Sequence, residues 1–315
     1  MTGFIHLPVL VEPVLRFLQV APDGVYFDGT VGSGGHAEAI LEASAPGGRL
    51  IGCDRDPLQL QISAQRLARF GDRVTLVRGS YEDAVEILRS AHFENVDGFV
   101  IDCGASLDQL SPEGEVGRGR GFSWRTDEPL LMSYDPDSER TAARLLAESS
   151  EAELREVFRP VLRPGEVGRV VRAIVRRRRA GPIETTRQLT EALRSAFGPP
   201  GPAADRRIAA AYLAVRAATN LATDALLGGI DAAVEVLRPG GVLVVIAFHG
   251  LETRVVRNRL RELEGGPVGP PRLVGAPERP KLMEVLTPRP IAPTDAEVNR
   301  NPAARSAKLF AGRRV

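Results

Sequence analysis

The sequence predicts an α/β protein: a doubly wound, mostly parallel sheet carrying a helical insert. Three observations lead there. Through residues 20–102, short apolar runs, three of them ending in an acid, alternate with helical patterns. The alternation then stops, and residues 138–226 carry charged and apolar positions at helical spacing almost throughout. It resumes at Val236-Leu237-Arg238-Pro239-Gly240-Gly241, a helix end and turn that lead into the apolar run Val242-Leu243-Val244-Val245-Ile246.

The elements follow in order. Residues 1–20 read as an amphipathic lead-in helix through Val9, Val11, Val14, Leu15 and Leu18. Strands are predicted over 25–29, 49–53, 73–77 and 97–102, with helices over 36–44, 57–69 and 82–91. Residues 111–137 hold Gly, Pro, Ser, Asp and Arg with little periodicity. They read as a long ordered loop, which in a compact domain usually carries function. The insert has helix starts at Ser149-Ser150-Glu151 and Thr185-Thr186. A helix over 227–237, a strand over 242–247 and a helix over 251–263 return to the sheet, and residues 264–304, rich in Pro and Gly, are expected to be extended. The division is a sheet domain, 1–107 with 227–315, and a loop plus helical insert, 108–226.

Composition narrows the partners. The 315 residues carry 41 basic against 40 acidic side chains, so nucleic-acid binding has to come from local patches. Cys53 and Cys103 each adjoin a strand-end acid and read as small residues in buried strands. The four histidines show no metal-ligand spacing, so no metal is expected. Without a signal peptide or an apolar run of about eighteen residues, the expectation is a soluble cytoplasmic protein with no membrane partner.

The richest stretch is Val25-Tyr26-Phe27-Asp28-Gly29-Thr30-Val31-Gly32-Ser33-Gly34-Gly35-His36: a strand, a glycine loop and a helix start. Glycines let a ligand approach the backbone, and the helix N-terminus offers unpaired N–H groups. Gly32 to Ala37 also fits the dinucleotide fingerprint G-x-G-x-x-A. S-adenosylmethionine is favoured over NAD on three grounds. Asp28 lies where a carboxylate receives the donor's ammonium and would repel a pyrophosphate. Arg49-Leu50-Ile51-Gly52-Cys53-Asp54 ends a second strand in an acid that suits ribose hydroxyls, a feature NAD shares. The late Pro-Gly-Gly turn and strand are similar to those of class I methyltransferases, Rossmann-like enzymes. An NAD-dependent oxidoreductase remains as an alternative, to be separated by a ligand-binding assay.

Three segments are basic: Arg169, Arg172 and Arg176 to Arg179; Arg118, Arg120 and Arg125 in the long loop; and Arg300, Arg305, Lys308, Arg313 and Arg314 in the tail. Each reads either as a solvated face or as a contact to an RNA backbone, and their coincidence in a near-neutral chain favours RNA. Phe122, Trp124 and Tyr134 either sandwich an extruded base or anchor the loop.

On these residues the chain resembles the cytosine-N4 methyltransferases of small-subunit ribosomal RNA, the RsmH or MraW family. The resemblance runs nearly end to end, as a divergent member. It is carried by His6-Leu7-Pro8-Val9-Leu10, Asp28-Gly29-Thr30 with Gly34-Gly35-His36, Asp54-Arg55-Asp56-Pro57, Asp97-Gly98 and Asp102. It continues through Gln109-Leu110, Arg120-Gly121-Phe122-Ser123, Pro182 with Thr185-Thr186, and Arg216 with Asn220. It ends with Phe248-His249 and Asn301-Pro302-x-x-Arg305-Ser306-Ala307-Lys308-Leu309. The resemblance implies a class I methyltransferase domain with a helical, RNA-recognising insert, S-adenosyl-L-methionine as cofactor, and methyl transfer to N4 of a cytosine in the decoding region of 16S rRNA. The implied partner is 16S rRNA or the small ribosomal subunit. It implies cofactor contacts at Gly34, Gly35, His36, Asp54, Tyr81, Asp102 and Gln109, to which the residues themselves add Asp28 and Gly32. Arg120, Phe122, Trp124, Arg176, Arg177, Arg305 and Lys308 are the candidate substrate contacts.

Departures concentrate on the substrate side. Where the family reads Leu-Gly-Val-Ser-Ser-Pro-Gln, this chain has Cys103-Gly104-Ala105-Ser106-Leu107-Asp108-Gln109. Gly-Pro-Leu-Asp-Met-Arg-Met-Asp becomes Glu128-Pro129-Leu130-Leu131-Met132-Ser133-Tyr134-Asp135, and the serine and acid of Phe-His-Ser-Leu-Glu-Asp become Gly250 and Thr253. A divergent paralogue acting on another RNA or a small molecule, and a non-catalytic cofactor-binding assembly factor, are the alternatives. For catalysis, the cytosine amine is a poor nucleophile that must be placed in line with the methyl and have its hydrogens accepted. Asp102 is the leading acceptor, although its carboxylate also suits the adenine side of the cofactor; Ser106 and His249 are further candidates.

Overall fold

The computed structural model describes residues 7–104, 118–267 and 278–315, which form two compact units. Among these residues, one unit contains 7–104, 224–267 and 278–315, and the other contains 118–223. Gln109 and Ser106 lie outside the described residues.

The first unit is built on a seven-stranded sheet. Its first strands are β1 (Val25–Asp28), β2 (Arg49–Asp54), β3 (Val74–Arg78), β4 (Val96–Asp102) and β5 (Leu237–Ala247). The small strands β6 (Gly266–Pro267) and β7 (Glu278–Arg279) pair with each other, and β8 (Met283–Val285) and β9 (Lys308–Arg314) complete the main sheet. The order is β3-β2-β1-β4-β5-β9-β8; β1 to β5 run parallel, while β9 runs antiparallel to both β5 and β8. This is the doubly wound, mostly parallel sheet that the sequence predicts.

Successive strand residues face opposite sides, and both sides are buried. Phe27, Ile51, Phe99, Ile101, Leu243 and Val245 enter one core with α4 (Ala84–Ser90), α10 (Ala222–Val236) and α11 (Gly250–Leu263). Tyr26, Leu50, Val100, Val244 and Ile246 enter the other, with α1 (Val11–Leu18) and α2 (Gly35–Ala43). The register pairs Tyr26 with Leu50, Asp28 with Val100, and Asp102 with Ile246. The two-residue period therefore places Asp28, Asp54 and Asp102 on the α2 side of the sheet, at the carboxyl ends of three neighbouring strands.

The lead-in helix is confined to Val11–Leu18 among the described residues. After α3 (Pro57–Leu67), a 3-10 turn at Tyr81–Asp83 precedes α4 where one continuous helix was expected. Residues 264–304 are not simply extended. They contain β6, β7, β8 and α12 (Asp295–Arg300), started by Thr294, whose hydroxyl accepts the Glu297 N–H. The basic tail Lys308–Arg314 is itself a sheet strand.

The second unit packs α5 (Ala142–Glu148), α6 (Glu151–Phe158), α7 (Pro164–Arg179), α8 (Thr186–Phe197) and α9 (Pro202–Thr219) around Phe158, Val171, Ile174, Leu193 and Val215. The predicted starts hold: Ser150 forms a reciprocal cap with Glu153, and Thr185 with Gln188. The described part of the long loop is ordered by backbone and side-chain bonds. Leu130 N–H donates to the Glu184 carbonyl at 2.7 Å. Asn220 Nδ2 donates to the Met132 carbonyl at 2.7 Å, and its Oδ1 accepts from Tyr134 N–H at 2.8 Å. Gly121 sits at φ +71, and a Cβ there would lie 2.4 Å from the Pro129 carbonyl oxygen.

Candidate cofactor site and substrate surfaces

The site starts from the glycine loop. Gly32 and Gly34 hold φ +49 and +82, values that glycine adopts without strain. At Gly35, an added Cβ would lie 2.8 Å from Pro8, so the start of α2 touches the amino-terminal segment. Gly52 pairs with Asp28 across the strands, and a Cβ on it would come within 3.0 Å of Val31. The bare backbone there gives the loop room to cross the sheet edge.

Asp28 is 1% exposed. Its Oδ1 accepts the Thr30 N–H at 3.1 Å, while Oδ2 is buried and meets no partner among the described residues. Asp54 accepts from Gly32 N–H at 3.0 Å and Asp56 N–H at 2.9 Å, which leaves further lone pairs for hydroxyl donors. Asp102 Oδ1 accepts from Gly104 N–H at 3.1 Å, and its own N–H donates to Thr30 Oγ1 at 2.7 Å. Burial pushes all three carboxyls up: Asp28 and Asp54 to about 6, and Asp102 to about 7. Asp28 feels the like charges of Asp54 and Asp102 as well.

His36 is buried in the same cluster. Nε2 lies 2.8 Å from the Val9 carbonyl and Nδ1 3.8 Å from Asp102 Oδ2. A carbonyl only accepts, so Nε2 carries the hydrogen; burial lowers the ring's pKa and keeps it neutral, leaving Nδ1 unprotonated toward Asp102. Tyr81 sits between Gly29 and Gly229, where added Cβ atoms would come within 2.5 and 2.3 Å of it.

This arrangement fits S-adenosylmethionine. A buried carboxylate oxygen without a hydrogen-bond partner among the described residues and three acids on one edge call for a positively charged guest. Two groups escaped the sequence reading. Ser33 in the glycine loop keeps a buried hydroxyl without a partner among the described residues, and Thr30 ties the loop to the end of β4. An acid two residues before a threonine and a serine between glycines were the available signals.

His249 caps α11. Its backbone N–H and that of Phe248 donate to Glu252 Oε2 at 3.1 and 2.8 Å. Phe248 lies against Gly104, where a Cβ would be 2.7 Å from the ring. Lys308 pairs with Ala247 at the start of β9, one register step from the Asp102–Ile246–Leu309 row, and both Lys308 and Arg305 are exposed. Ala247 faces the core opposite the one that Ile246 enters, so Lys308 stands near the same strand end as Asp102 but on the other face of the sheet. Cys53 and Cys103 are free thiols, Cys53 fully buried, and burial raises both.

The other substrate candidates belong to the helical unit. Phe122 is 4% exposed in the helical core, its ring 5.8 Å from that of Tyr134. Of the two roles open to it, this burial suits the anchoring one, because a buried ring offers no free face to a base. Trp124 is partly exposed, with the guanidinium carbons of Arg125 and Arg194 at 5.5 and 5.8 Å from its ring centre. Arg120 donates to the Tyr134 carbonyl at 3.4 Å. Arg176 donates to Ser195 Oγ at 3.0 Å and Arg177 to the Gly181 carbonyl at 3.0 Å; Arg178 caps α5 through the Leu146 and Ser149 carbonyls.

The MraW methylase family matches residues 3–315. The chain belongs to that family. Ribosomal RNA small subunit methyltransferase H of Heliobacterium modesticaldum is 39% identical over 99% of both chains. The Pelobacter propionicus enzyme of that name is 42% identical, again over 99% of each. The Symbiobacterium thermophilum enzyme is 41% identical over 98% of this chain and 96% of its own. Coverage of this extent makes the chain a member of the family along the length matched: a methyltransferase whose methyl donor is S-adenosylmethionine. A solved rRNA methylase from Streptococcus thermophilus aligns over 96% of this chain at 10% identity with a TM-score of 0.42, too loose for residue comparison. Among the described residues, no group of His, Cys, Asp and Glu is placed to hold a metal, and no helix is long and apolar enough to cross a membrane.

Proposed function

We propose that the protein methylates the exocyclic N4 of a cytosine in the decoding region of 16S rRNA. The observation that carries this reading is Asp102: a buried carboxylate at the end of β4, in a chain aligned along its length with enzymes named for small-subunit rRNA methylation. The bound cofactor supplies an electrophilic methyl group. The protein's part is to orient the amine and accept its hydrogens as positive charge develops on nitrogen. Asp102 takes that acceptor role, and Asp28, Asp54, Gly32, Gly34, Gly35, His36 and Tyr81 hold the donor; Gln109 keeps the cofactor contact that the resemblance implies, and Ser106 stays a further candidate acceptor. His249 serves as the α11 cap and orients the Phe248 turn.

Residues 108–226 form the RNA-recognition segment in this reading. Trp124 is the stacking residue, because its ring is accessible, while Phe122 and Tyr134 set the loop beneath it. Arg120, Arg176 and Arg177 face RNA with the capacity their internal bonds leave, and Arg305 and Lys308 hold the phosphate backbone beside the cofactor edge. The test is tritium transfer from labelled S-adenosylmethionine to small subunits from a strain lacking the endogenous family enzyme, with nucleoside analysis. Label in N4-methylcytidine supports the reading. Cofactor binding with no label in the subunit, or label in another nucleoside, refutes it.

A further inference from the structure

The two sequence motifs with no role so far are Leu7-Pro8-Val9-Leu10 at one end of the chain and the Asn301 segment at the other. The structure joins them. Glu297 Oε1 accepts the Leu10 N–H at 2.6 Å, across 287 residues. Asn301 Nδ2 donates to the Leu7 carbonyl at 2.9 Å, across 294 residues. Between these two anchors, the Val9 carbonyl accepts from His36 Nε2 at 2.8 Å, and Pro8 lies against Gly35. Leu10 takes φ +54, a left-handed conformation that costs a leucine energy and persists only when its surroundings fix it. Asn301 is itself buried, and its N–H donates to the Glu297 carbonyl at 2.7 Å, so the two anchors share one turn.

We propose that Glu297 and Asn301 are positioning residues of the cofactor site: they fix the Leu7–Leu10 backbone, which holds the His36 ring against Asp102. The Val9 carbonyl is the group that selects the His36 tautomer. If Leu7–Leu10 shifts, the ring loses its Nε2 partner, and Nδ1 is no longer held toward the Asp102 carboxyl. The charges acting on His36 come from several elements: Asp28 on β1, Asp102 on β4, Arg66 on α3 and Glu297 on α12. The anchors therefore reach the site by hydrogen bonding through the backbone and, for Glu297, by its charge. This inference concerns the donor site alone and stands apart from the choice of RNA target, since its readout needs no RNA.

The test is calorimetric titration of the full-length protein with S-adenosylmethionine between pH 5.5 and 8, alongside thermal melting. Glu297→Ala is expected to weaken donor affinity roughly tenfold, the scale of one lost buried hydrogen bond, and to move the pH midpoint of binding. Glu297→Gln keeps an acceptor oxygen for Leu10 and is expected to recover most of the affinity. Asn301→Ala, which leaves Glu297 in place, is expected to weaken binding in the same direction and serves if the first variant does not fold. Lowered melting temperatures with wild-type affinity and pH midpoint in both alanine variants would overturn the proposal, since a purely structural clasp moves stability alone.

Discussion

In the sheet unit, three aspartates share one face and one edge, and one of them keeps a buried oxygen without a partner among the described residues. In the helical unit, by contrast, three arginines of α7 find neutral partners: Arg176 bonds Ser195, Arg177 bonds Gly181, and Arg178 bonds the end of α5. The difference is one of cost. Clustered carboxylates that burial pushes toward neutrality work against the fold, and a protein retains them where a ligand compensates. Arginines on an exposed helix cost little and serve caps and RNA alike. The cofactor edge therefore declares its use in its geometry, while the helical unit requires a binding experiment.

The largest expected effect breaks the comparison at its centre. Asp102→Asn is isosteric and removes the buried charge; methyl transfer should fall about 100- to 1,000-fold, as when an oriented polar group is lost from a transition state. The ligand-free melting temperature at pH 8 should rise, because an ionised buried carboxylate is gone. Activity within a few-fold of wild type would take the acceptor role from Asp102. Phe122→Ala should cost about 3–5 kcal/mol in denaturant unfolding, the usual range for emptying a core phenylalanine site. Loss of RNA affinity at unchanged stability would instead make Phe122 a stacking residue.

Smaller effects sharpen the contrast on the RNA side. Trp124→Ala should weaken binding to a small-subunit rRNA fragment by about 1–3 kcal/mol, the value of one stacked base. An unchanged affinity would leave Trp124 a packing residue. Lys308→Gln should lower the salt slope of RNA binding by about one, as for a single phosphate contact. A slope equal to wild type would place the RNA backbone elsewhere.

Three strands of the sheet unit were legible as apolar runs closed by an acid, since Val25–Asp28, Arg49–Asp54 and Val96–Asp102 all end at the ligand edge, while β3 and β5 were legible as apolar runs alone. The β9 strand was not. Its apolar Leu309, Phe310 and Ala311 are flanked by Lys308, Arg313 and Arg314, and charge at both ends reads as a tail when the strand partner is invisible. β5 begins at Leu237, ahead of the Pro239-Gly240-Gly241 turn signal, through an irregular pairing in which Val96 meets Leu237. α12 was hidden by the proline-rich composition around it, although Thr294 and Glu297 have the spacing of a helix start. At the site, Asp28, Asp54 and Asp102 were readable as strand ends, but their shared face needed the register. The link from Glu297 and Asn301 to His36 spans nearly the whole chain, and no local pattern announces a contact of that range.

The pH behaviour tests the central claim, that the acids at the sheet edge exist to receive a cation. Unfolded carboxyls release their protons near pH 4, whereas the folded ones hold theirs to about 6 or 7. Across that window the ligand-free folded state binds more protons, so these groups lower its stability as pH rises. His36 acts oppositely: burial holds it neutral, so it removes stability as pH falls below the unfolded histidine value of about 6.5. A bound cation favours the ionised carboxylates and should expel their protons. The decisive measurement is calorimetry near pH 6.5 in buffers of different ionisation enthalpy, comparing S-adenosylmethionine with methylthioadenosine, which carries neither the ammonium nor the sulfonium. The account predicts net proton release on binding the charged donor and distinctly less with the uncharged nucleoside. Equal proton exchange for the two ligands, or none with either, would contradict it.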